Sequence, residues 1–209
     1  MAYLDSRELH FAPGRGPFHV KGTAYIGLLD HCATHVKGGL DAILAKFGED
    51  EALVAFFRQR FLAGSWYDVG PSILLTQAAA VVAGVAHLDL LRQQARAQAE
   101  RDIHGVYRLL LKLARPEMIM ARLPRAAGRY FDFVRAEVSE LRPGCWESRA
   151  HGVPAMAQHS YMAGTEAFVV KALELSGAKE VKHRWLPPEP EGQAHGVDVM
   201  CLRREVGWK

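Results

Sequence analysis

The densest group of chemistry-bearing side chains is His31, Cys32 and His35. Histidines at i and i+4 share one face of a helix, so two imidazoles there can reach one metal ion or offer a ligand to haem. A zinc site needs a third and usually a fourth donor, and only Asp30 and Asp41 stand near enough in sequence to be candidates. The chain has ten histidines, so one such pair arises readily by chance and a partly exposed helix face is the default reading. Cys32 with His35 makes a nominal nucleophile–base pair that lacks a third group to orient it.

A second group is His151, His159 and His183, with Met156, Tyr161, Met162 and Phe168 around the same place. His183 stands between Val181 and Trp185 on a strand face expected to point inward. A ligand site must be concave and mostly apolar, so these residues suit either a pocket lining or ordinary core packing. Arg122, Arg125 and Arg129, at i, i+3 and i+7, share a face if a helix continues through Pro124. Such a face suits an anionic ligand, or else a solvated surface paired with Glu117, Asp132 and Glu137. The sequence holds no G-x-S-x-G, no G-x-G-x-x-G and no P-loop. It names no reaction.

Composition bounds the partners. The 209 residues, 49% apolar and 23% charged, are those of an ordinary globular protein with one good core. A net charge of +3, its basic residues scattered among 23 acids, gives no support for a nucleic-acid or anionic-membrane partner. Cys32, Cys145 and Cys201 are far apart, odd in number and in no C-x-x-C spacing, so a reduced, cytoplasmic protein is expected. The N-terminus shows no basic segment followed by an apolar run, and no signal peptide is expected. The weakly polar run from Ile73 to Leu91 carries Thr76, Gln77, His87 and Asp89. It reads as a core helix bending at Gly84, with no membrane span expected.

Periodicity supplies the elements that must position these groups. Residues 1–17 end in Pro13-Gly14-Arg15-Gly16-Pro17, an extended lead-in. A first helix follows from Lys21, with Ala24, Leu28, Cys32 and Val36 spaced by four and Gly38-Gly39 ending it. Leu40 to Phe47 forms a short second helix. A third begins at Glu49-Asp50-Glu51 and carries Leu53, Phe56, Phe57 and Phe61. Gly64 to Pro71 reads as a turn-rich link. Ile103, Val106, Tyr107, Leu110, Leu111 and Ala114 make one apolar helical stripe, and Arg115-Pro116-Glu117 stops that helix and opens another.

After Phe133 the period falls to two. Val134, Ala136 and Val138 alternate with Arg135, Glu137 and Ser139, and Arg142-Pro143-Gly144 turns into a returning strand from Cys145 to His151. Ala155 to Leu175 is a long helix with Ala157, Tyr161, Gly164, Thr165, Phe168, Ala172 and Leu175 on one stripe. Lys179 to Leu186 and Val197 to Val206 are strands, and Pro187 to Gly192 is expected to be a loop because of its prolines. The expected fold is α+β: a helical part over residues 18–133, then β-β-α-β-β over 134–209 with a four-stranded antiparallel sheet, in one domain spanning 18–209.

Several stretches resemble a known family. Val20-Lys21-Gly22-Thr23-Ala24, Ser65-Trp66-Tyr67, Glu100 to Arg108, Arg122-Leu123-Pro124 and Arg129-Tyr130-Phe131-Asp132 resemble the myxobacterial paralogous family called domain of unknown function 2378. The resemblance runs over roughly residues 18 to 206. That family is similar, at a distance, to a ligand-binding superfamily of vinyl-reductase-type sensor domains, TRAPP-type trafficking subunits and haem nitric-oxide-binding domains. The resemblance implies helices followed by a four-stranded antiparallel sheet, a homodimer, and a hydrophobic small molecule, lipid or haem held between helices and sheet. Two signatures of the superfamily are missing. Only Cys201 stands where vinyl-reductase-type domains carry paired cysteines, and there is no Tyr-x-Ser-x-Arg.

The functional expectation is a non-catalytic sensory or regulatory domain binding a small hydrophobic or haem-like ligand. Its expected contacts are Tyr107, Phe131, Met156, His159, Tyr161, Phe168, His183 and Trp185, with His31 and His35 as a metal pair. The alternative is a ligand-free dimeric scaffold like the trafficking subunits, whose interior is filled.

Overall fold

The computed structural model describes residues 10–104 and 115–209. Val106, Tyr107, Leu110, Leu111 and Ala114 of the expected helical stripe lie outside the described residues. The described elements in chain order are β1 (His19–Lys21), α1 (Gly22–His35), α2 (Gly39–Leu44), α3 (Glu51–Arg58), β2 (Trp66–Asp68), α4 (Val69–Ala83) and α5 (His87–His104). Then come α6 (Pro116–Tyr130), β3 (Arg135–Arg142), β4 (Cys145–Pro154), α7 (Gln158–Leu175), β5 (Lys182–Trp185), β6 (Glu189–Ala194) and β7 (Val197–Gly207).

Local chemistry sets the helix ends. The Asp50 carboxylate accepts the Leu53 backbone N–H at 2.9 Å and so caps α3. Asp68 caps α4 in the same way through Gly70 N–H, 2.9 Å away. Pro116 occupies the first turn of α6, where its missing N–H costs nothing, and the helix continues through Pro124. Gly84 takes the left-handed conformation at φ 68°, and α4 and α5 meet there at 107°. The run from Ile73 to Leu91 is therefore two helices. Among the described residues no single helix is long and apolar enough to cross a membrane.

The C-terminal sheet is antiparallel, in the order β3-β4-β7-β5, with β6 also paired to β7. It has five strands where the sequence suggested four. β5 pairs with the Arg204–Gly207 end of β7, and β6 with its Val197–Cys201 end. The expected loop at Pro187 to Gly192 is thus partly a strand, with Pro190 opposite Met200. An edge strand has one side free of the ladder, which is where proline is tolerated. A second correction is β2: the expected turn-rich link contains three residues paired to β1, Lys21 opposite Trp66. Gly22 follows directly, and a side chain there would run into the Leu62 carbonyl oxygen.

Three stretches that carry the family resemblance meet at this small sheet. Val20 bridges to Phe131, and Asp132 accepts the His19 backbone N–H at 2.7 Å. Apolar packing falls into three clusters. One surrounds Tyr25, Leu53 and Phe57 and takes in Val197 and Val199 from β7. Another joins Ile119 and Met120 of α6 to Leu173 and Val206, and the third joins Val134, Val153, Tyr161 and Leu202. Between these clusters the described residues leave a hollow.

Candidate functional site

A cavity of about 200 Å³ lies between the helices and the inner face of the C-terminal sheet. It exists because the elements that meet there present small side chains. Ala95 of α5, Ala126 and Ala127 of α6, Ala136 of β3, and Ala157 with Gly164 beside and on α7 all face it. Tyr161, Thr165 and Phe168 complete the α7 wall, so the stripe read from the sequence is the one that lines the hollow. Leu28, Ile73, Leu123 and Val169 make the remaining walls apolar.

Polar groups enter from three directions, and on the α4 side Ser72 and Thr76 are satisfied by the Val69 and Ile73 carbonyls. On the α5 side, Gln98 donates to the Asp102 carboxylate at 2.8 Å and accepts from Arg101 at 2.8 Å. The Tyr130 hydroxyl also donates to Asp102, and burial raises that carboxyl above its ordinary range. These groups satisfy one another. On the sheet side the alternation of β4 and β7 places Ser148 directly opposite Arg204, and both face the cavity.

Arg204 is the charged wall residue that sequence reading missed. It is 6% exposed. Its guanidinium makes one side-chain hydrogen bond, to Thr165 Oγ1 at 3.4 Å, and lies 5.2 Å from the Trp185 ring. Burial pulls its pKa down, against the attraction of Tyr161 and Glu166. Beside it the Tyr161 phenol is pushed up to about 12 by burial, which Arg204 opposes. The signal was available. Counting back in twos from Val206 puts Arg204 on the inward face, between Val206 and Leu202.

The expected contact residues divide clearly. Phe131, Tyr161 and Phe168 line the cavity, and Tyr107 lies outside the described residues. Phe131 packs on Tyr161 with ring centres 5.1 Å apart, and Phe168 meets Tyr130 edge-on at 5.9 Å. His183 and Trp185 sit behind the wall. Trp185 donates its indole N–H to Glu166 at 3.1 Å, and His183 lies 3.8 Å from the same carboxylate. Burial, helped by Arg204, pushes His183 down to about 3. Met156 packs against the helical cluster instead. His159 is exposed, so its expected place in the hollow is corrected: it sits two residues from Tyr161, which turns it to another side of α7.

His31 and His35 stack at 4.2 Å, with His31 buried and His35 exposed. His35 Nδ1 is 3.0 Å from the His31 carbonyl oxygen, and no third donor joins the pair among the described residues. Cys32 is fully buried, and burial pushes its thiol up to about 11, far from a nucleophile. The arginines of α6 lie on its exposed side, opposite Ile119, Met120 and Leu123. One group has metal-ligand types: His151, Glu191 and Cys201, with ligand atoms within 4.8 Å of one another. There the Glu191 carboxylate is already engaged by His151 Nδ1 at 2.5 Å and by the Gly152 N–H at 2.9 Å.

No protein-family model matches the chain, and no curated protein sequence matches it. Solved structures do match. A mutant of the T. tengcongensis H-NOX aligns with a TM-score of 0.66 at 9% identity, over 90% of this chain and 97% of that one. An Fe(II) unliganded H-NOX protein from K. algicida gives 0.60 at 17% identity, over 90% and 96%. An oxygen-binding H-NOX domain related to soluble guanylate cyclases gives 0.61 at 11% identity, over 90% and 92%. The chain therefore has a mixed helix-and-sheet fold like that of the haem nitric-oxide-binding domains.

Proposed function

We propose that this domain is a non-catalytic sensory or regulatory module that binds one small, mostly apolar molecule between its helices and its sheet. The observation that carries the reading is the cavity. A well-packed interior has few voids larger than a water molecule, and a dry hollow of about 150 Å³ lined by apolar side chains takes up benzene. A hollow of 200 Å³ walled by α4, α5, α6, α7 and the sheet is of that class. A filled scaffold would lack it. Ligand entry moves the helices against the sheet if it favours one arrangement over another.

The structural neighbours raise haem as a ligand, and the described wall does not fit it. Haem is several times larger than the benzene-sized molecules such a hollow admits. Iron is usually held by histidine, cysteine or methionine, and none of these lines the cavity among the described residues. Among the described wall residues tyrosine is the remaining ligand type. The Tyr25 hydroxyl is bound to the Asp68 carbonyl, Tyr130 to Asp102, and Tyr161 is held in its neutral form by burial. The two narrower expectations, membership of the 2378 family and a homodimer, rest on the sequence motifs.

Two measurements test this reading. Titration calorimetry should show 1:1 binding of 1-octanol, weakened in Ala127→Leu, which narrows the hollow. Absence of binding in the unmodified chain overturns the proposal. Gel filtration of the protein mixed with haemin separates the two ligand classes, and a preparation without a Soret band keeps the small apolar molecule. A stoichiometric band would reinstate the haem ligand.

A further inference from the structure

Resting on the cavity reading, we propose that the ligand is a small monocarboxylic acid, its carboxylate held by Arg204 and the Tyr161 hydroxyl and its apolar body lying against Phe168 and the small-residue wall. A buried guanidinium carries five N–H donors and a charge that needs a counter-charge. Thr165 answers one donor weakly, at 3.4 Å. Glu166 is the acid of α7 nearest in effect, yet its Oε2 accepts the Trp185 indole N–H and lies beside His183. No carboxylate of the described residues pairs with Arg204 in an ion pair. The donors left over face a cavity.

The neighbours of that charge select its partner. Ser148 stands opposite Arg204 in the sheet and Tyr161 lies beside it, so two hydroxyls free to donate line the wall around this charge, while the Thr165 hydroxyl is already given to the Tyr161 carbonyl at 2.7 Å. A set of donors around one fixed positive charge calls for an acceptor with one negative charge. A carboxylate matches the planar fork of a guanidinium with two parallel bonds. A phosphate monoester would bring nearly two charges to a wall with one cation. The small volume and apolar walls then limit the rest of the molecule to a single ring or a short chain. The Trp185 ring, 5.2 Å from the guanidinium carbon and tied to Glu166, backs that charge without itself lining the cavity.

The test compares octanoate with 1-octanol, equal in chain length and different only at the head, on the unmodified chain and on Arg204→Met and Tyr161→Phe. Octanoate should bind at least tenfold more tightly than octanol to the unmodified chain. Arg204→Met should lose that preference while still binding octanol, and Tyr161→Phe should reduce it severalfold. Arg204→Met puts a side chain of similar length and no charge on the strand, and far-ultraviolet circular dichroism verifies that each variant is folded. If the unmodified chain binds both molecules equally, or Arg204→Met keeps the preference, the carboxylate assignment is wrong and the cavity reading stands. If neither molecule binds, both fail together.

Discussion

The aromatic core around Phe57 and the seam around Arg204 are built in one small domain, with Tyr25 bordering both, yet one is solid and the other hollow. In the first, Tyr25 stacks on Phe61 at 4.6 Å and meets Phe56 and Tyr67 edge-on, while Phe57 packs on Phe47 and Phe56. Large flat rings interlock there. In the second, alanines and Gly164 face each other across a gap that their side chains cannot close. Apolar character alone therefore does not separate a core from a site. Side-chain volume does, together with a charge left on the wall.

That contrast can be broken by substitution, and the largest effect is expected in the solid region. Phe57→Ala should cost about 3–5 kcal/mol in urea unfolding, because the rings around it cannot collapse into the space. A loss under about 1 kcal/mol would mean the aromatic cluster is looser than described. Next comes a matched pair in which alanine becomes leucine. Ala79, fully buried in α4, has no room, and Ala79→Leu should cost about 1–3 kcal/mol. Ala127→Leu adds the same atoms into the hollow and should gain about 0.5–2 kcal/mol. Equal costs for the two would erase the distinction between the regions.

A smaller effect sharpens the electrostatics of the seam. His183 has a folded-state value of about 3, below the ordinary 6.5, so the unfolded chain takes up a proton that the folded chain refuses. Its contribution to stability is complete above about pH 6.5 and is lost progressively as the pH falls toward about 3. The slope is at most about 1.4 kcal/mol per pH unit. Urea midpoints at about pH 7.5 and about pH 5 should differ by less in His183→Phe than in the unmodified chain. An unchanged difference would place the acid sensitivity elsewhere.

Much of this architecture was legible in the residues. The α7 stripe through Tyr161, Thr165 and Phe168 follows from a helical period, and it faces the hollow. The period-two run at Val134, Ala136 and Val138 gave β3 its inner face, and Arg115-Pro116 marked the start of α6. Short edge elements were hidden because their local signals point the other way. Pro187-Pro188 argued for a loop through Gly192 and hid β6, and Ser65-Trp66-Tyr67 looked like a turn until β1 supplied a partner strand. The site was half legible. His183 and Trp185 do point inward, but Arg204 stands between them and the space, and attention to histidines and aromatics passed over a charged residue in phase with Leu202 and Val206. His159 shows the converse error, since a place near the start of α7 does not fix which face of the helix a residue takes.

The central claim is an open space walled by α7 and the sheet, and xenon reports on such space directly. Diffraction from a crystal of the protein pressurised with xenon should show an ordered atom between Phe168, Ala127 and the Arg204 side of the sheet. Density there from protein side chains alone, with no xenon bound, would contradict the account.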